Sequence, residues 1–211
     1  MLNFPTDKKG VILKASFEVF ITYGFRKTSM DDIARAAGMS RPALYQSFKN
    51  KTDIFRALVS RFCEVSLARA ETELKTTAPF GERLMSAIKV SIIEMNGMVE
   101  KAPHGMELMA VNDEIAHDLE EIWNSQFAAL LTNAFTEADK KGEIRLSALG
   151  VSAKEAAQVF DHAMEGLKAR CTRGEKVNEL IYSTVRFFAA TLSADPISNT
   201  QTVKPSVVRI A

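Results

Sequence analysis

The chain has 211 residues, 46% of them hydrophobic and 25% charged, with a formal net charge of +1. These values exclude a disordered chain and a nonspecific polycation, and no run reaches the roughly 18 to 20 apolar residues that a membrane-spanning helix needs. The charge is uneven: residues 1–62 carry eleven Lys or Arg against five Asp or Glu, net +6, whereas residues 63–211 carry sixteen against twenty-one, net −5. A basic N-terminal third on an acidic body points to a local anion site, with nucleic acid as the first anion to consider. The N-terminus has no apolar stretch behind a basic one, so a cytoplasmic protein is expected.

Apolar residues recur at helical spacing from Val11 to Leu192 and period-two alternation is nearly absent, so the expected fold class is all-α. Ile12, Ala15, Val19 and Tyr23 form one stripe of a first helix, widened by Phe17 and Phe20 and closed at Gly24. In "TSMDDIARAAG", Ser29 and Asp32 have capping-box spacing, which starts a second helix near Met30 and carries it to about Ala37. Ser40 caps a third, with Pro42 in its first turn and an end near Phe48. A fourth helix, begun by Asn50 or Thr52, is expected over about 51–75. Further helices are expected near 80–101, 105–115, 116–141, 152–173 and 175–193. The breaks fall at Pro103, at "KKGEIRLSALG" and at Gly174. Residues 195–211 are polar, hold two prolines and lack a helical pattern, so a flexible or extended tail is expected. Cys63 and Cys171 stand on separate helices with no CxxC and no nearby histidine, which suits two reduced thiols and no zinc site.

Two short helices around Gly38 need small residues where backbones approach, a permissive turn and apolar inward faces. Ala34 and Ala37, Gly38, and Ile33, Met39, Leu44 and Phe48 supply these. A packing hairpin would use the same residues, so the outward face of the third helix carries the choice. Arg41, Ala43, Tyr45, Gln46 and Ser47 remain there, none is acidic, and Arg26, Lys27, Arg35, Lys49 and Lys51 surround them. That face suits the DNA major groove.

The stretch "YGFRKTSMDDIARAAGMSRPALYQSFKNKTDIF" resembles the N-terminal DNA-binding domain of the tetracycline-repressor (TetR) family of bacterial transcription regulators. Gly24, Thr28, Ile33, Ala34, Gly38, Ser40, Leu44, Tyr45, Phe48 and Lys51 stand in the family's order and spacing, over about residues 8–62. The resemblance implies a helix-turn-helix domain over residues 1–50, then a helical effector-binding and dimerisation domain over 51–194. By position it implies that Thr28 or Ser29, Ser40, Tyr45 and Lys51 hold phosphates, and that Arg41, Pro42, Ala43 and Gln46 face base edges. Ser47 stands where many relatives have histidine, and Lys49 adds positive charge beside it. The implied partners are operator double-stranded DNA, a second copy of the chain and a small-molecule effector. No cofactor and no membrane are expected.

The last two helices carry apolar stripes, Ala156, Phe160, Ala163, Met164 and Leu167, then Val177, Leu180, Ile181, Val185, Phe188 and Leu192, that look too wide for one neighbour. A four-helix homodimer interface is therefore expected, with Phe160, Met164, Leu167, Leu180, Ile181, Val185 and Phe188 in it. An effector pocket is expected among Met85, Ile88, Ile92, Met95, Met109, Trp123, Phe127 and Leu131, with Met98, Met106 and Phe135 nearby in pattern. Two other readings differ in class. One has the body bind a protein partner and no small molecule. The other is a di-metal bundle enzyme, suggested by "EIAH" (Glu114–His117) and the reversed "HAME" (His162–Glu165), but only one motif runs in the forward sense. With no GxSxG or Walker loop either, no enzymatic activity is expected.

Overall fold

Capping chemistry sets the first four helices, as the sequence leads one to expect. The structure is a computed structural model that describes residues 3–171 and 177–194, except the side chains of 96, 168–171 and 177. The expected tail at 195–211 and the break at Gly174 lie outside the described residues. Helix α1 (Lys8–Tyr23) begins where Asp7 accepts the Gly10 N–H and ends at Gly24, whose φ is 82°. Helix α2 (Met30–Ala36) opens on a reciprocal capping box between Ser29 and Asp32. Gly38, at φ 65°, turns the chain into α3 (Arg41–Tyr45), capped by Ser40. Helix α3 is shorter than expected, although the Phe48 N–H still reaches the Leu44 carbonyl. Asn50 accepts the Asp53 N–H and starts α4 (Lys51–Leu74).

The expected helix over 80–101 is a nearly continuous rod made of α5 (Phe80–Ile88), a π turn (Lys89–Ile93) and α6 (Glu94–Glu100). Then follow α7 (Gly105–Ile115), α8 (His117–Lys140), a 3-10 turn (Ser147–Leu149), α9 (Ala153–Cys171) and α10 (Val177–Leu192). The chain is all-α. Among the described residues, extended pairing is limited to one isolated bridge between Ile144 and Ser193. Cys63 is a half-buried free thiol, and the Cys171 side chain lies outside the described residues.

Two cores share α4. The first joins α1, α2 and α3 to the first half of α4 through Ile12, Phe20, Ile33, Leu44, Ile54 and Leu58, and extends to Leu108 and Val111 of α7. The second packs α5, α8, α9 and α10 around Leu84, Phe135, Phe160 and Val185, with Ala70 and Leu74 from the far end of α4. Near that end the buried Arg83 guanidinium donates to the Leu74 carbonyl and pairs with Glu143, fastening α4, α5 and the segment after α8. The N-terminal core therefore runs past residue 50 into α4 and α7.

Burial corrects part of the expected dimer face. Phe160, Met164, Ile181 and Val185 are 0–3% exposed within one chain. Leu167 and Phe188 are half-buried against the same core. The wide stripe is accounted for by two neighbours in the same chain, because α9 packs on both α8 and α10, and α10 packs on both α9 and α5. Leu180 is exposed, as are Val159 and Phe187 on the outer faces of the same two helices. Phe160→Ala should therefore cost roughly 3–5 kcal/mol of folding stability in urea titration. A loss below about 1 kcal/mol would remove Phe160 from the core.

Candidate nucleic-acid interface and the adjoining cavity

Helix α3 presents a polar, acid-free edge. Arg41, Pro42, Tyr45, Gln46 and Lys49 are exposed, while Ala43 and Ser47 are half-buried. The Arg41 guanidinium lies 5.5 Å from the Tyr45 ring centroid and 3.2 Å from the Asp31 carboxylate on α2. The Tyr45 hydroxyl first, then Asp31, raise its already high pKa. Lys8 donates to the Gln46 side-chain oxygen at 3.3 Å. These contacts are solvent-exposed and weak, so they orient the side chains without withholding them. Ser29 is engaged with Asp32 and Ser40 with the Ala43 N–H, yet both are exposed.

Two expected phosphate ligands have other work in the structure. Thr28 is 3% exposed and its hydroxyl donates to the Gly24 carbonyl at 2.6 Å, closing the α1–α2 loop. The Lys51 ammonium donates to the carbonyls of Phe25, Arg26 and Thr28 at 2.8, 3.1 and 3.0 Å, and lies 4.6 Å from the Phe25 ring centroid. An ammonium has three N–H donors, and here all three have partners. Burial lowers the Lys51 pKa, against the opposing pull of Glu107. Lys51 thus shapes the loop, and Lys49 is an exposed cation beside α3.

The same loop is held from the other side by α7. Glu107 accepts the Arg26 N–H at 2.8 Å and lies 3.3 Å from His104 Nδ1. That backbone N–H is the main reason its pKa lies below the usual value. A depressed carboxylate pKa adds stability above about pH 4 that is lost as pH falls through the folded value. Nearby, Arg56 of α4 makes two 2.7 Å bonds to Asp118 and one to the Ile115 carbonyl, tying α4 to the α7–α8 junction.

Beneath this junction lies a cavity of about 530 Å³. Ile92, Met95, Met109 and Trp123 of the expected pocket line it, together with Met106. Ile88, Phe127 and Leu131, at 0–1% exposure, are packed into the second core and do not line it. Met85 faces a separate hollow between α5 and α10 with Tyr182 and Arg186. Sequence reasoning missed the walls given by α1 and α4, namely Phe17, Phe20, Phe55 and Phe62. Within the wall, the Trp123 indole N–H donates to Ser66, whose hydroxyl donates to the Ser91 carbonyl in the π turn. A π turn shifts the helical register by one residue, a device common at functional sites.

Among the described residues, no group of three or more His, Cys, Asp or Glu could hold a metal ion. Glu114 lies 4.0 Å from Arg26, and His117 lies 3.6 Å from Glu121. No helix among them is long and apolar enough to cross a membrane.

The sequence profile of bacterial regulatory proteins of the tetR family matches residues 12–58. The HTH-type transcriptional activator FasR of Mycolicibacterium smegmatis is 31% identical over 114 residues, 54% of this chain and 50% of its own length. The chain spans about half the length of that relative, and 43% of the uncharacterized regulator YhgD of Bacillus subtilis. The HTH-type transcriptional repressor BepR of Brucella suis is 25% identical over 89% of this chain and 91% of its own length. Among solved structures, SmeT, the repressor of a Stenotrophomonas maltophilia multidrug efflux pump, superposes with a TM-score of 0.66 at 18% identity. It covers 90% of this chain and 93% of its own. A SmeT–triclosan complex superposes at 0.67 and 21% identity, over 89% and 92%.

The two lysines beside α3 should separate cleanly. On duplex DNA of random sequence, Lys49→Gln should lower the slope of log K against log salt by about one with little change in melting. Lys51→Gln should destabilise the fold by about 1–3 kcal/mol through the carbonyls it leaves unpaired. The reverse pattern would return Lys51 to the phosphates.

Proposed function

We propose that the chain, whose residues 12–58 match the tetR family of bacterial regulatory proteins, is a member of that family and a sequence-specific DNA-binding transcriptional repressor, released from its operator by a small molecule. The observation that carries this reading is the acid-free edge of α3, exposed at the end of a helix-turn-helix whose caps and core are complete. Arg41, Pro42, Ala43 and Gln46 read base edges. Ser29, Ser40, Tyr45, Ser47 and Lys49 hold phosphates and fix the register. The repressor sense is supported by BepR, whose match runs along most of this chain.

The protein works as a homodimer in the cytoplasm. Val159, Leu180 and Phe187, exposed and apolar on α9 and α10, are the surface on which a second copy seats. A twofold dimer presents its two reading helices about one DNA turn apart, roughly 34–36 Å, so the operator is a pseudo-palindrome.

The effector occupies the cavity, a reading supported by the triclosan complex of a protein with this fold. A molecule there touches α1 through Phe17 and Phe20 and α7 through Met106 and Met109. Helix α7 in turn holds the Arg26 N–H through Glu107. An effector that prefers a shifted α7 therefore reorients the reading unit and weakens DNA binding.

Selection from random duplexes should recover an inverted repeat. Arg41→Ala should then lose about 1–3 kcal/mol of discrimination at one base pair in each half-site. Recovery of no shared sequence would contradict the proposed function.

A further inference from the structure

We infer that the effector is an apolar organic cation, a hydrophobic body ending in an amine or quaternary ammonium. The inference rests on the effector reading above and deepens it by naming the ligand class. The site is the cavity itself, and its size is that of pockets that take drug-sized molecules. Its charged groups are what choose among ligands. Glu100, Asp113, Glu120 and Glu165 face it from α6, α7, α8 and α9, one from each helix. No lysine, arginine or histidine is among the described residues that line it. Nor does a lysine or arginine among the described residues form an ion pair with any of the four carboxylates. Among the described residues their one side-chain partner is neutral: the Asn112 amide, 3.5 Å from Glu120.

The walls select in the same direction. Trp123, Phe17 and Phe62 offer aromatic surface, and aromatic faces attract ammonium groups most strongly when water is excluded. A small hydrated cation gains nothing from such walls, because it would lose its hydration for few oxygen ligands. A fatty acid or phosphorylated lipid fits the walls but brings its anionic head against four carboxylates, Glu120 and Glu165 half-buried and Glu100 and Asp113 exposed at the rim, whose like charge repels it. A hydrophobic molecule with one positive end satisfies both the walls and the rim.

Three probes with the same ten-carbon chain separate charge from apolar fit: decyltrimethylammonium, decanol and decanoate, each titrated below its micellar concentration. Calorimetry gives the affinity, and the fluorescence of Trp123, the single tryptophan of the chain, reports binding inside the cavity. The cation should bind at least about tenfold more tightly than decanoate and more tightly than decanol, with the preference shrinking as salt is added. The Asp113→Asn, Glu120→Gln double variant should erase most of that preference and leave decanol affinity unchanged. Glu100→Gln serves as a second variant should the first melt early. Equal or tighter binding of decanol or decanoate, or a preference untouched by both variants, would overturn the cationic class while leaving the effector reading standing. Failure of all three probes to bind would overturn both.

Discussion

The ammonium of Lys51 is the contact on which the geometry of the reading unit depends. The loop from Gly24 to Ser29 joins α1 to α2 without strand or helix partners, so its carbonyls need donors from elsewhere. Three of them, from Phe25, Arg26 and Thr28, converge on the Lys51 ammonium at the first turn of α4, and the Thr28 hydroxyl closes the loop on Gly24. The start of α2 is thereby fixed to the start of α4. Helix α3 follows α2 through the turn at Gly38, so its direction is inherited from α4 as well.

The same loop is also held by the body of the protein, through α7. Gly24 has the left-handed backbone that lets α1 end, and a Cβ built there would lie 2.3 Å from the Glu107 carboxylate. Glycine readily adopts this φ and leaves the Glu107 carboxylate room to sit against the loop. Glu107 then takes the Arg26 N–H, so α4 grips the loop by its carbonyls and α7 by an amide. Both helices also line the cavity, as does α1 through Phe17 and Phe20. The cavity and the helix-turn-helix unit therefore share α1 and α4 as common walls.

Most of the fold was legible because its signals are local. Ser29 and Asp32, Ser40 with Pro42, Asn50 and Gly38 each act within three or four residues, and each did in the structure what its spacing implies. The roles of Thr28 and Lys51 were not legible, because the carbonyls that claim Lys51 lie 23 to 26 residues away in a loop whose path no pattern encodes. Periodicity identified the apolar faces of α9 and α10 without saying what covers them. Phe160 and Val185 are covered by α8 and α5 of the same chain, which leaves Phe187 and Val159 as the outer surface. Of the residues expected in an effector pocket, Ile92, Met95, Met109 and Trp123, all on the middle helices, line the cavity. Phe17 and Phe20 were missed because α7 returns beneath α1, a contact between elements about ninety residues apart.

The central claim is that the cavity and the α3 edge are energetically coupled. Its most direct test is the affinity of one cavity ligand for the free protein and for the protein saturated with its selected operator, followed by operator affinity with and without that ligand. The account requires the ligand to bind the operator complex more weakly, and the operator to be weakened by the same factor, since coupling between two binding sites is reciprocal. Equal ligand affinity in the two states would leave the shared walls of α1, α4 and α7 without a regulatory role and contradict the account.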